Sequence, residues 1–464
     1  MATPVLPPTA IGIKAIQFYY PKNFVAQVDL EKFDGIAPGK YTAGLGQIEM
    51  GFCYDNEDVT SLALTVTHSL LEVYKIDPKS IGYLCVGTET LTDKSKSVKT
   101  SLMDLFGDNT DIEGVDVKNA CFGGTQALFN AVDWVTANWQ FQERLAIAVM
   151  ADIAIYEPGN ARCTGGAGAI AVLVGPDAPL VIERGFRSCH MANSWDFYKP
   201  IGGEASEYPK VNGSLSVKSY LEAVDKCYNL YNQKVIKQIN EGRDTNAFTA
   251  ILFHCPFYKI VQKAFGRLIY ADHRRGGDSW LTNTDEFEPF REYSDEKTYT
   301  DRDFNTAALQ VSKPYFVQKV EPNMTLNQRI GNMYTPSVYA QLVTFLAKFD
   351  PIAATPQRLL IFSYGSGLAS AMFSIEISDA ENSELAKMKE VASGAVHRLE
   401  DRIQHSPEAY AEVMANREKL TNSDVPVIPS SSQNGISSHL FPGTYYLTNI
   451  DVNRVRSYAR IPLH

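Results

Sequence analysis

The sequence predicts an α/β fold in which buried strands alternate with helices. Short apolar runs recur along the chain, and segments with helical periodicity follow several of them. Such alternation is typical of layered α/β proteins. At 464 residues the chain is too long for one simple core, so we expect two or three domains or one duplicated unit.

The predicted elements can be placed in chain order. The candidate buried strands are the apolar runs IGIKAIQFYY (11–20), IGYLCVG (81–87), LAIAVMADIAIY (145–156), AGAIAVLVG (167–175), FTAILFH (248–254) and RLLIFSYG (358–365). Helical patterns occupy residues 58–75, 124–139, 217–241, 257–269 and 336–349. Several helices begin just after a strand that ends in a small or reactive residue, and this is where α/β folds place their chemistry.

The chain divides into two proposed halves at a seam near residues 176–190. The first half is 1–180 and the second is 181–464, although no internal repeat is evident. Residues 271–330 are charge-dense and weakly periodic, which predicts an exposed insertion with short helices. Residues 422–438 have the composition of a surface loop.

Composition and charge exclude several classes of function. A formal net charge of −10 disfavours non-specific binding to nucleic acid or to an anionic membrane. The first residues show no basic, apolar signal pattern and the first arginine is Arg144, so we expect a cytoplasmic protein. The 7 cysteines are odd in number, widely spaced and lack a CxxC pair, which predicts neither a disulfide framework nor a zinc site.

Cys121 is the first candidate for chemistry. In the stretch DVKNACFGGTQALFNAVDWV it precedes Gly123 and Gly124, which permit a tight turn, and a helical pattern follows. The N-terminus of a helix stabilises a thiolate, which is the nucleophilic form of cysteine. A buried cysteine at a tight packing contact explains the same pattern equally well.

Two further candidates close apolar strands. Glu89 follows the strand IGYLCVG, where partial burial would raise its pKa and make it a general acid or base. His254 closes the strand FTAILFH, and Lys259 and Lys263 stand four residues apart on the next helix as a possible anion clamp. Each has a plain alternative: an exposed glutamate, a core histidine and two surface lysines.

Two glycine-rich stretches, ARCTGGAGAIAVLVG and FSYGSGLASAMF, let backbone N–H groups approach a ligand. Neither matches a P-loop or a dinucleotide-binding fingerprint. They are interpreted as an oxyanion hole or as structural turns.

Together these segments resemble the 3-hydroxy-3-methylglutaryl-CoA synthases of the thiolase superfamily. The resemblance runs through most of the chain, in EKFDGIAPGKYTAGLGQ, VGTETLTDKSKSVKT, NACFGGTQALFNAVDWV, ADIAIYEPGNARCTGGAGA, DFYKP, FHCPFYKIVQK, GNMYTPSVY and FSYGSGLAS. It implies a thiolase-like layered αβαβα fold built from two related halves. The first half would carry Glu89 and Cys121, and the second would carry His254.

The family's reaction is implied with the fold. Acetyl-CoA, acetoacetyl-CoA and water would give 3-hydroxy-3-methylglutaryl-CoA and free CoA, a step of the mevalonate pathway to isoprenoids and sterols. The CoA thioesters would be substrates, with no separate cofactor and no metal. The resemblance also implies a homodimer that binds neither nucleic acid nor membrane.

The resemblance assigns catalytic roles by motif. Cys121 would become the acetyl-thioester, Glu89 would take a proton from the acetyl methyl group, and His254 would hydrogen-bond the acetoacetyl carbonyl. The amides of Cys121 and Ser366 would form the oxyanion hole. The implied supporting and substrate- or CoA-binding residues are Asp152, Asp196, Ala37, Pro38, Asn160, Thr164, Ser216, Lys259, Lys263 and Asn332.

One residue departs from the family pattern. The family commonly has proline in NARPTGG, and this chain has Cys163 at that position. The thiol either fills the space of the proline ring or resolves an oxidised Cys121 in a reversible disulfide.

Two other functions fit parts of the sequence. Cys121, His254 and Asn332 occur in the chain order of a papain-like hydrolase, but no tryptophan follows the cysteine and Glu89 has no role there. A non-catalytic acyl-CoA-binding or scaffold protein of the same fold has no use for a nucleophile. The set of Glu89, Cys121 and His254 therefore favours the synthase.

Overall fold

A mixed sheet runs through the computed structural model, which describes residues 9–201, 207–276, 279–349, 357–377, 383–433 and 438–463. Within these ranges ten strands share the sheet, in the order β12-β13-β14-β8-β1-β7-β6-β4-β5, with β9 also paired to β14. The strands are β1 (Gly12–Tyr19), β2 (Asn23–Ala26), β3 (Glu49–Phe52), β4 (Ile81–Gly87), β5 (Asp116–Val117), β6 (Leu145–Ala154), β7 (Gly166–Gly175), β8 (Leu180–Ile182), β9 (Ser188–Met191), β10 (Phe197–Tyr198), β11 (Lys210–Val211), β12 (Ala250–Phe253), β13 (Gln357–Gly365), β14 (Ala369–Ile377), β15 (Ile403–His405), β16 (Tyr445–Ile450) and β17 (Arg456–Arg460).

The helices cover both faces of the sheet and its ends. They are α1 (Gln27–Phe33), α2 (Thr42–Leu45), α3 (Val59–Val73), α4 (Val98–Ser101), α5 (Gly123–Gln142), α6 (Gly213–Ile239), α7 (Tyr258–Arg274), α8 (Asp295–Thr300), α9 (Arg302–Lys319), α10 (Thr325–Ile330), α11 (Ser337–Lys348), α12 (Ser383–His397) and α13 (Pro407–Thr421).

The apolar runs and helical patterns of the sequence predict most of the central elements correctly. The six candidate strands are β1, β4, β6, β7, β12 and β13, and the five helical patterns are α3, α5, α6, α7 and α11. The pattern of a strand followed by a helix also predicts a helix after FSYG, and this prediction is wrong, because the segment is β14, which pairs antiparallel with β13. The sequence analysis missed α9, because the charges on its exposed face hid an apolar face.

The segment 271–330 is more buried than expected. Its longest helix, α9, packs against α7 and buries Phe304, Val311 and Phe316. These side chains belong to a hydrophobic core, so the segment is an integral layer of helices and not only an exposed insertion. The division of the chain into halves 1–180 and 181–464 stays a prediction.

Alternation along β13 separates two hydrophobic cores. Leu359 and Ile361 belong to the core that contains α5, α11 and α12. Leu360 and Phe362 point to the other face and belong to the core built with α6, α7 and α9. Successive side chains of a strand face opposite sides, so this part of the sheet lies between two layers of helices.

Side-chain alternation along β1 also shows which helix lies on each face of the sheet there. On β1, Gln17 hydrogen-bonds Ser69 of α3, whereas Tyr20, just past the strand, hydrogen-bonds the Ala395 carbonyl of α12. Helix α5 then spans the middle, because it packs on β4 and β6 while Phe129 meets Phe373 of β14 edge to face. Because α5 lies between the β4–β6 part of the sheet and the β14 part, the one sheet supplies two strand layers, and the order is helix, strand, helix, strand, helix.

The turn before α5 differs from the expected one. Ala120 has φ +43°, whereas Gly123 and Gly124 already belong to the helix. A side chain at Gly124 would meet the Thr335 carbonyl at 2.9 Å, and one at Gly123 would meet the Val117 carbonyl at 2.8 Å. These glycines allow close packing of α5, and the strained backbone is at the alanine beside Cys121.

This packing predicts that Gly124→Ala destabilises the protein. The added methyl would press on main chain at Thr335, which cannot move aside, so we expect a loss of about 1–3 kcal/mol in the free energy of unfolding. Gly213→Ala is the matched control, because no atom lies within 4 Å of its added methyl at the start of α6. Chemical denaturation measures both, and equal stability of the two variants would contradict the packing role.

Candidate active site

The candidate residues lie where strands end. Strand β4 pairs in parallel with both β5 and β6, and β12 pairs in parallel with β13. Glu89 follows β4, Cys121 follows β5, His254 follows β12 and Ser366 follows β13. These strand ends come from both parts of the chain, and the YGSG turn of the second part contacts the Cys121 loop of the first.

Cys121 and Glu89 are in direct contact. The Cys121 thiol donates a hydrogen bond to Glu89 Oε1, with Sγ and Oε1 3.3 Å apart. The other carboxylate oxygen, Oε2, lies 3.4 Å from the ammonium of Lys199. The carboxylate of Glu89 therefore bridges a thiol and a cation.

Burial gives Glu89 the pKa of a base that works near neutral pH. Desolvation raises its pKa to about 7, and Asp152 also raises it, whereas Lys199 and the thiol of Cys121 lower it. A carboxylate with this pKa can accept a proton and release it again near neutral pH.

For the resting protein the structure favours a neutral Cys121 thiol over the thiolate that a helix N-terminus would stabilise. Burial raises the pKa of the Cys121 thiol well above its ordinary value, and the charge of Glu89 raises it further. The resting pair is a neutral thiol beside a base, so the nucleophile forms when the proton moves to Glu89.

Asp152 holds the strand end that carries Glu89. It is fully buried on β6, and its Oδ1 accepts hydrogen bonds from the Glu89 amide at 2.9 Å and from the hydroxyls of Thr88 and Thr90 at 2.8 Å. Its Oδ2 accepts from the amide of Thr335 at 3.1 Å and from the Thr335 hydroxyl. One carboxylate thus ties the β4 turn to the turn before α11.

Aromatic side chains form a wall beside the thiol. Tyr156 and Tyr334 are buried in one cluster, against which Cys121 and Phe197 pack. Tyr334 has φ +54°, and its ring lies 4.5 Å below the Lys199 ammonium. An apolar wall of this kind limits access of water to the thiol.

His254 is a neutral imidazole at the carboxyl end of β12. It is buried, its amide donates to the Phe362 carbonyl at 2.7 Å, and its carbonyl accepts from the Tyr220 hydroxyl at 2.6 Å. Burial lowers the pKa of its ring to about 3. His254 can therefore donate a hydrogen bond through N–H but carries no charge near neutral pH.

The YGSG turn is held against the loop of Cys121. A side chain at Gly365 would meet the Phe122 amide nitrogen at 2.4 Å, and Asn119 Nδ2 donates to the Ser366 carbonyl at 3.2 Å. Asp196, fully buried, accepts from the Tyr364 hydroxyl and from the Gly367 amide, both at 2.9 Å. Asp196 therefore supports the turn that carries Ser366.

Ala37 and Pro38 lie in an exposed loop between α1 and α2. Buried Glu31 holds this loop by accepting hydrogen bonds from the amides of Gly39, Tyr41 and Thr42. Burial would raise the pKa of Glu31, but these backbone donors outweigh it and lower the pKa.

Other proposed binding residues lie on neighbouring loops. Asn160 is exposed and accepts a hydrogen bond from Lys40 Nζ at 3.0 Å. The Thr164 carbonyl accepts from the Asn332 amide at 2.9 Å, which joins the NARCTGG loop to the GNMY turn. The side-chain oxygen of buried Asn332 accepts from the Tyr334 amide at 2.9 Å, so that oxygen shapes the turn. Ser216 lies in the first turn of α6.

Lys259 and Lys263 occupy the first turns of α7 and are partly buried. Gln47 Oε1 accepts a hydrogen bond from the Tyr258 amide at 3.1 Å, so the chain just after α2 contacts the start of this helix. Within the described residues, no carboxylate lies within ion-pair distance of either lysine's ammonium.

Cys163 is completely buried, and its thiol lies 3.6 Å from the Asn160 carbonyl. Burial raises the pKa of this thiol to about 12, and the nearest charges are those of Lys40, Arg162 and Glu31. The surroundings of Cys163 support the packing interpretation. A disulfide with Cys121 stays a prediction, and all seven cysteines are free thiols here.

Two family models together cover almost the whole chain. The N-terminal model for hydroxymethylglutaryl-coenzyme A synthase matches residues 7–179, and the C-terminal model matches residues 180–461. The chain belongs to the hydroxymethylglutaryl-CoA synthase family. The papain-like alternative is therefore wrong.

Relatives match along nearly their full length. The hydroxymethylglutaryl-CoA synthase of Caenorhabditis elegans is 49% identical over 98% of this chain and 95% of its own. The mitochondrial enzyme of Mus musculus is 45% identical over 98% and 90% of the two chains, and the cytoplasmic enzyme of Homo sapiens is 44% identical over 98% and 88%.

Solved structures of hydroxymethylglutaryl-CoA synthases share the fold. A structure of MvaS in complex with 3-hydroxy-3-methylglutaryl coenzyme A superposes with a TM-score of 0.80 and 29% identity, over 97% of this chain and 99% of the other. The predicted thiolase-like α/β fold is confirmed. As an acyltransferase of this family, the protein condenses acetyl-CoA with acetoacetyl-CoA to 3-hydroxy-3-methylglutaryl-CoA, a step of the mevalonate pathway.

Sequence analysis of this synthase missed residues that the site depends on. Lys199 lies in the quoted motif DFYKP, and Thr335 follows GNMY, yet neither was a candidate. The two threonines of GTET, Thr88 and Thr90, were also passed over. Polar residues that flank a strand end beside a candidate base are the signal that could have identified the threonines.

The described residues contain no cluster of metal-ligating side chains and no long apolar helix. No group of three or more His, Cys, Asp or Glu side chains there is arranged to hold a metal ion. In the same ranges, no helix combines the length and apolar character that crossing a membrane requires.

The pKa of Glu89 predicts the pH dependence of the synthase. The base is active as a carboxylate, so kcat/KM should rise with pH up to about 7 and then level, falling about tenfold per pH unit below that point. His254 stays neutral over this range and should add no second limb. Steady-state kinetics between about pH 5 and pH 9 test this, and a rate that stays level down to pH 5, as a glutamate at its ordinary pKa of about 4.3 would give, would contradict it.

Proposed function

We propose that Cys121, Glu89 and His254 carry out the condensation through an acetyl-cysteine intermediate. The observation that supports this most directly is the 3.3 Å contact between Cys121 Sγ and Glu89 Oε1, with the carboxylate tuned to a pKa of about 7. A binding protein has no need of a nucleophile in contact with a base.

The first step acetylates the enzyme. The Cys121 proton moves to Glu89 Oε1 as sulfur attacks the carbonyl carbon of acetyl-CoA. The carbon–sulfur bond to CoA then breaks, and the CoA thiolate leaves with the proton that Glu89 held. Glu89 is again a carboxylate, ready for the next step.

The second step forms the new carbon–carbon bond. Glu89 removes a proton from the methyl group of acetyl-Cys121, and the amides of Cys121 and Ser366 hold the enolate oxygen. The enolate carbon attacks the ketone of acetoacetyl-CoA. The position of Ser366 beside the Cys121 loop, through Gly365 and Asn119, supports its place in this oxyanion hole.

His254 stabilises the alkoxide that this attack creates. A neutral imidazole donates its N–H without the penalty of burying a charge. Glu89 then gives the proton that it took from the methyl group to the alkoxide, which the hydrogen bond from His254 holds in place. Water then hydrolyses the thioester and restores the Cys121 thiol. These side chains supply the nucleophile, the base and the donor, so the reaction calls for no separate cofactor.

The CoA thioesters are bound by the loops around the thiol. We assign acyl and pantetheine contacts to Asn160, Thr164, Ser216 and Asn332, with Asn332 acting through its side-chain nitrogen. Ala37 and Pro38 would contact the nucleotide from their exposed loop. The structure of a 29% identical MvaS in complex with 3-hydroxy-3-methylglutaryl coenzyme A supports binding of this ligand class.

Lys259 and Lys263 would hold the phosphates of CoA. They stand at the N-terminus of α7, whose backbone amides also favour anions. An anionic ligand needs such local cations, because the chain carries a net charge of −10.

The protein acts in the cytoplasm as a homodimer in this proposal. The seven free cysteines suit a reducing compartment, and cytoplasmic relatives share 44% identity, although mitochondrial relatives are as similar. Imaging of a tagged protein and sedimentation analysis test location and assembly.

Single substitutions separate the three catalytic roles. Cys121→Ala should abolish acetyl transfer while the fold is kept. Glu89→Ala should leave slow acetylation but lower condensation by roughly 10²–10⁴-fold, and His254→Ala should acetylate but use acetoacetyl-CoA poorly. Intact-protein mass spectrometry after mixing with acetyl-CoA reports acetylation, and product formation reports condensation.

Three results would count against this assignment of roles. Acetyl on a different cysteine would exclude Cys121 as the nucleophile. Normal condensation by a pre-acetylated Glu89→Ala enzyme would exclude Glu89 as the base that forms the enolate. Stoichiometric acetylation of wild type without turnover would favour the non-catalytic acyl-binding alternative.

The lysine assignment predicts a salt-dependent affinity. Lys259→Ala with Lys263→Ala should weaken acyl-CoA binding, and added salt should weaken wild type more than this variant, because salt screens the lost charges. Lys237→Ala with Lys313→Ala removes two exposed helical lysines and should bind as wild type does. Calorimetric titration with acetyl-CoA measures the affinities. An identical salt response in all three proteins would show that other cations hold the nucleotide.

A further inference from the structure

Lys199 contacts the base on the side away from the nucleophile. Its ammonium lies 3.4 Å from Glu89 Oε2, while Oε1 accepts the hydrogen bond from Cys121 at 3.3 Å. Each oxygen of one buried carboxylate therefore has its own partner. A quarter turn of the Glu89 carboxyl group would lose both contacts, whereas a half turn only exchanges its two equivalent oxygens.

The position of Lys199 is fixed by its surroundings. The residue follows β10, which pairs with β11, and only 21% of its side chain is exposed. Its ammonium lies 4.5 Å from the ring centroid of Tyr334 and 5.9 Å from that of Phe197. Two aromatic rings and one carboxylate thus hold the Lys199 ammonium in place. Most surface lysines keep their ammonium in water and are less confined.

We propose that Lys199 is a positioning residue for the reaction, holding Oε2 of Glu89 so that Oε1 faces Cys121 and keeping the carboxylate ionised for each proton transfer. This inference rests on the proposed roles of Glu89 and Cys121. It extends the site by a cation that belongs to neither the nucleophile loop nor the strand end of the base.

The charges around Glu89 explain why a cation is needed. Asp152, from β6, is a second buried carboxylate that opposes ionisation of Glu89, and burial opposes it more strongly. Lys199 is the cation that offsets them. Among the described residues, the titratable groups that face Glu89 are Lys199, Cys121, Asp152, Tyr156 and Tyr334.

The cation also acts while the proton is on Glu89. When the carboxylate takes the proton from the thiol, the pair of opposite charges becomes a neutral acid beside an ammonium. The negative charge has moved to the Cys121 sulfur, and later to the enolate, and Lys199 remains close to both. Its charge therefore favours each anion that the base creates.

The test replaces Lys199 and compares pH profiles. Lys199→Met removes the charge and keeps the length of the chain, whereas Lys199→Arg keeps the charge. Lys210→Met is the matched control from the paired strand β11: its ammonium lies 3.5 Å from Glu157, in an ion pair whose side chains are 54% and 57% exposed. Wild type and the three variants are assayed for kcat/KM across pH and for the rate of Cys121 alkylation by iodoacetamide.

The proposal predicts a shift that general damage to the fold would not cause. In Lys199→Met the limb of kcat/KM near pH 7 should move up by about one pH unit or more, because an opposite charge at this distance lowers a carboxyl pKa by that amount. Alkylation of Cys121 at neutral pH should slow severalfold. Lys199→Arg should restore most of the wild-type profile, and Lys210→Met should match wild type.

The outcomes distinguish this inference from the proposed function. If wild type fails to form acetyl-Cys121, the roles of Cys121 and Glu89 are wrong. If wild type is active with a limb near pH 7 and Lys199→Met keeps that limb and the alkylation rate, Lys199 does not position the base. Equal loss of activity in the Met and Arg variants, with both pH profiles unmoved and melting temperatures unchanged, also overturns the inference, because it would mark Lys199 as a substrate contact.

Discussion

The buried carboxylate of Asp152 is the interaction on which the geometry of the site depends. It accepts hydrogen bonds from the turn after β4, including the amide of Glu89, and from Thr335 before α11. Removing this carboxylate would leave several buried donors without a partner, each costing about 1–3 kcal/mol. Two segments that are far apart in the chain would also lose their shared anchor, so the base and the aromatic wall are positioned by the same group.

The wall in turn positions the cation. Thr335 follows Tyr334, whose left-handed backbone turns its ring towards the Lys199 ammonium. Lys199 then contacts Glu89, and Glu89 contacts Cys121. The result is a closed ring of contacts that begins and ends at the strand end held by Asp152. Because hydrogen-bond networks are coupled, a substitution at any member of this ring should change the surroundings of the Cys121 thiol.

Two buried glutamates show how surroundings decide chemistry. Glu31 accepts hydrogen bonds from three backbone amides, and its pKa is lowered, so it serves as a permanent anion that shapes the loop of Ala37 and Pro38. Glu89 is approached by a thiol and one ammonium, and burial raises its pKa to about 7. The number of N–H donors around each carboxylate explains why one is structural and the other can exchange protons.

The sequence alone determined the central strands and helices and the strand-end positions of Glu89, Cys121 and His254. These follow from hydrophobic periodicity and from local composition, which depend only on neighbours in the chain. The tertiary structure alone decided that Lys199 meets Glu89, that Thr335 meets Asp152 and that the resting Cys121 is a thiol. Each of these depends on distance and burial between segments separated by many residues, and no local pattern in the sequence encodes such a distance.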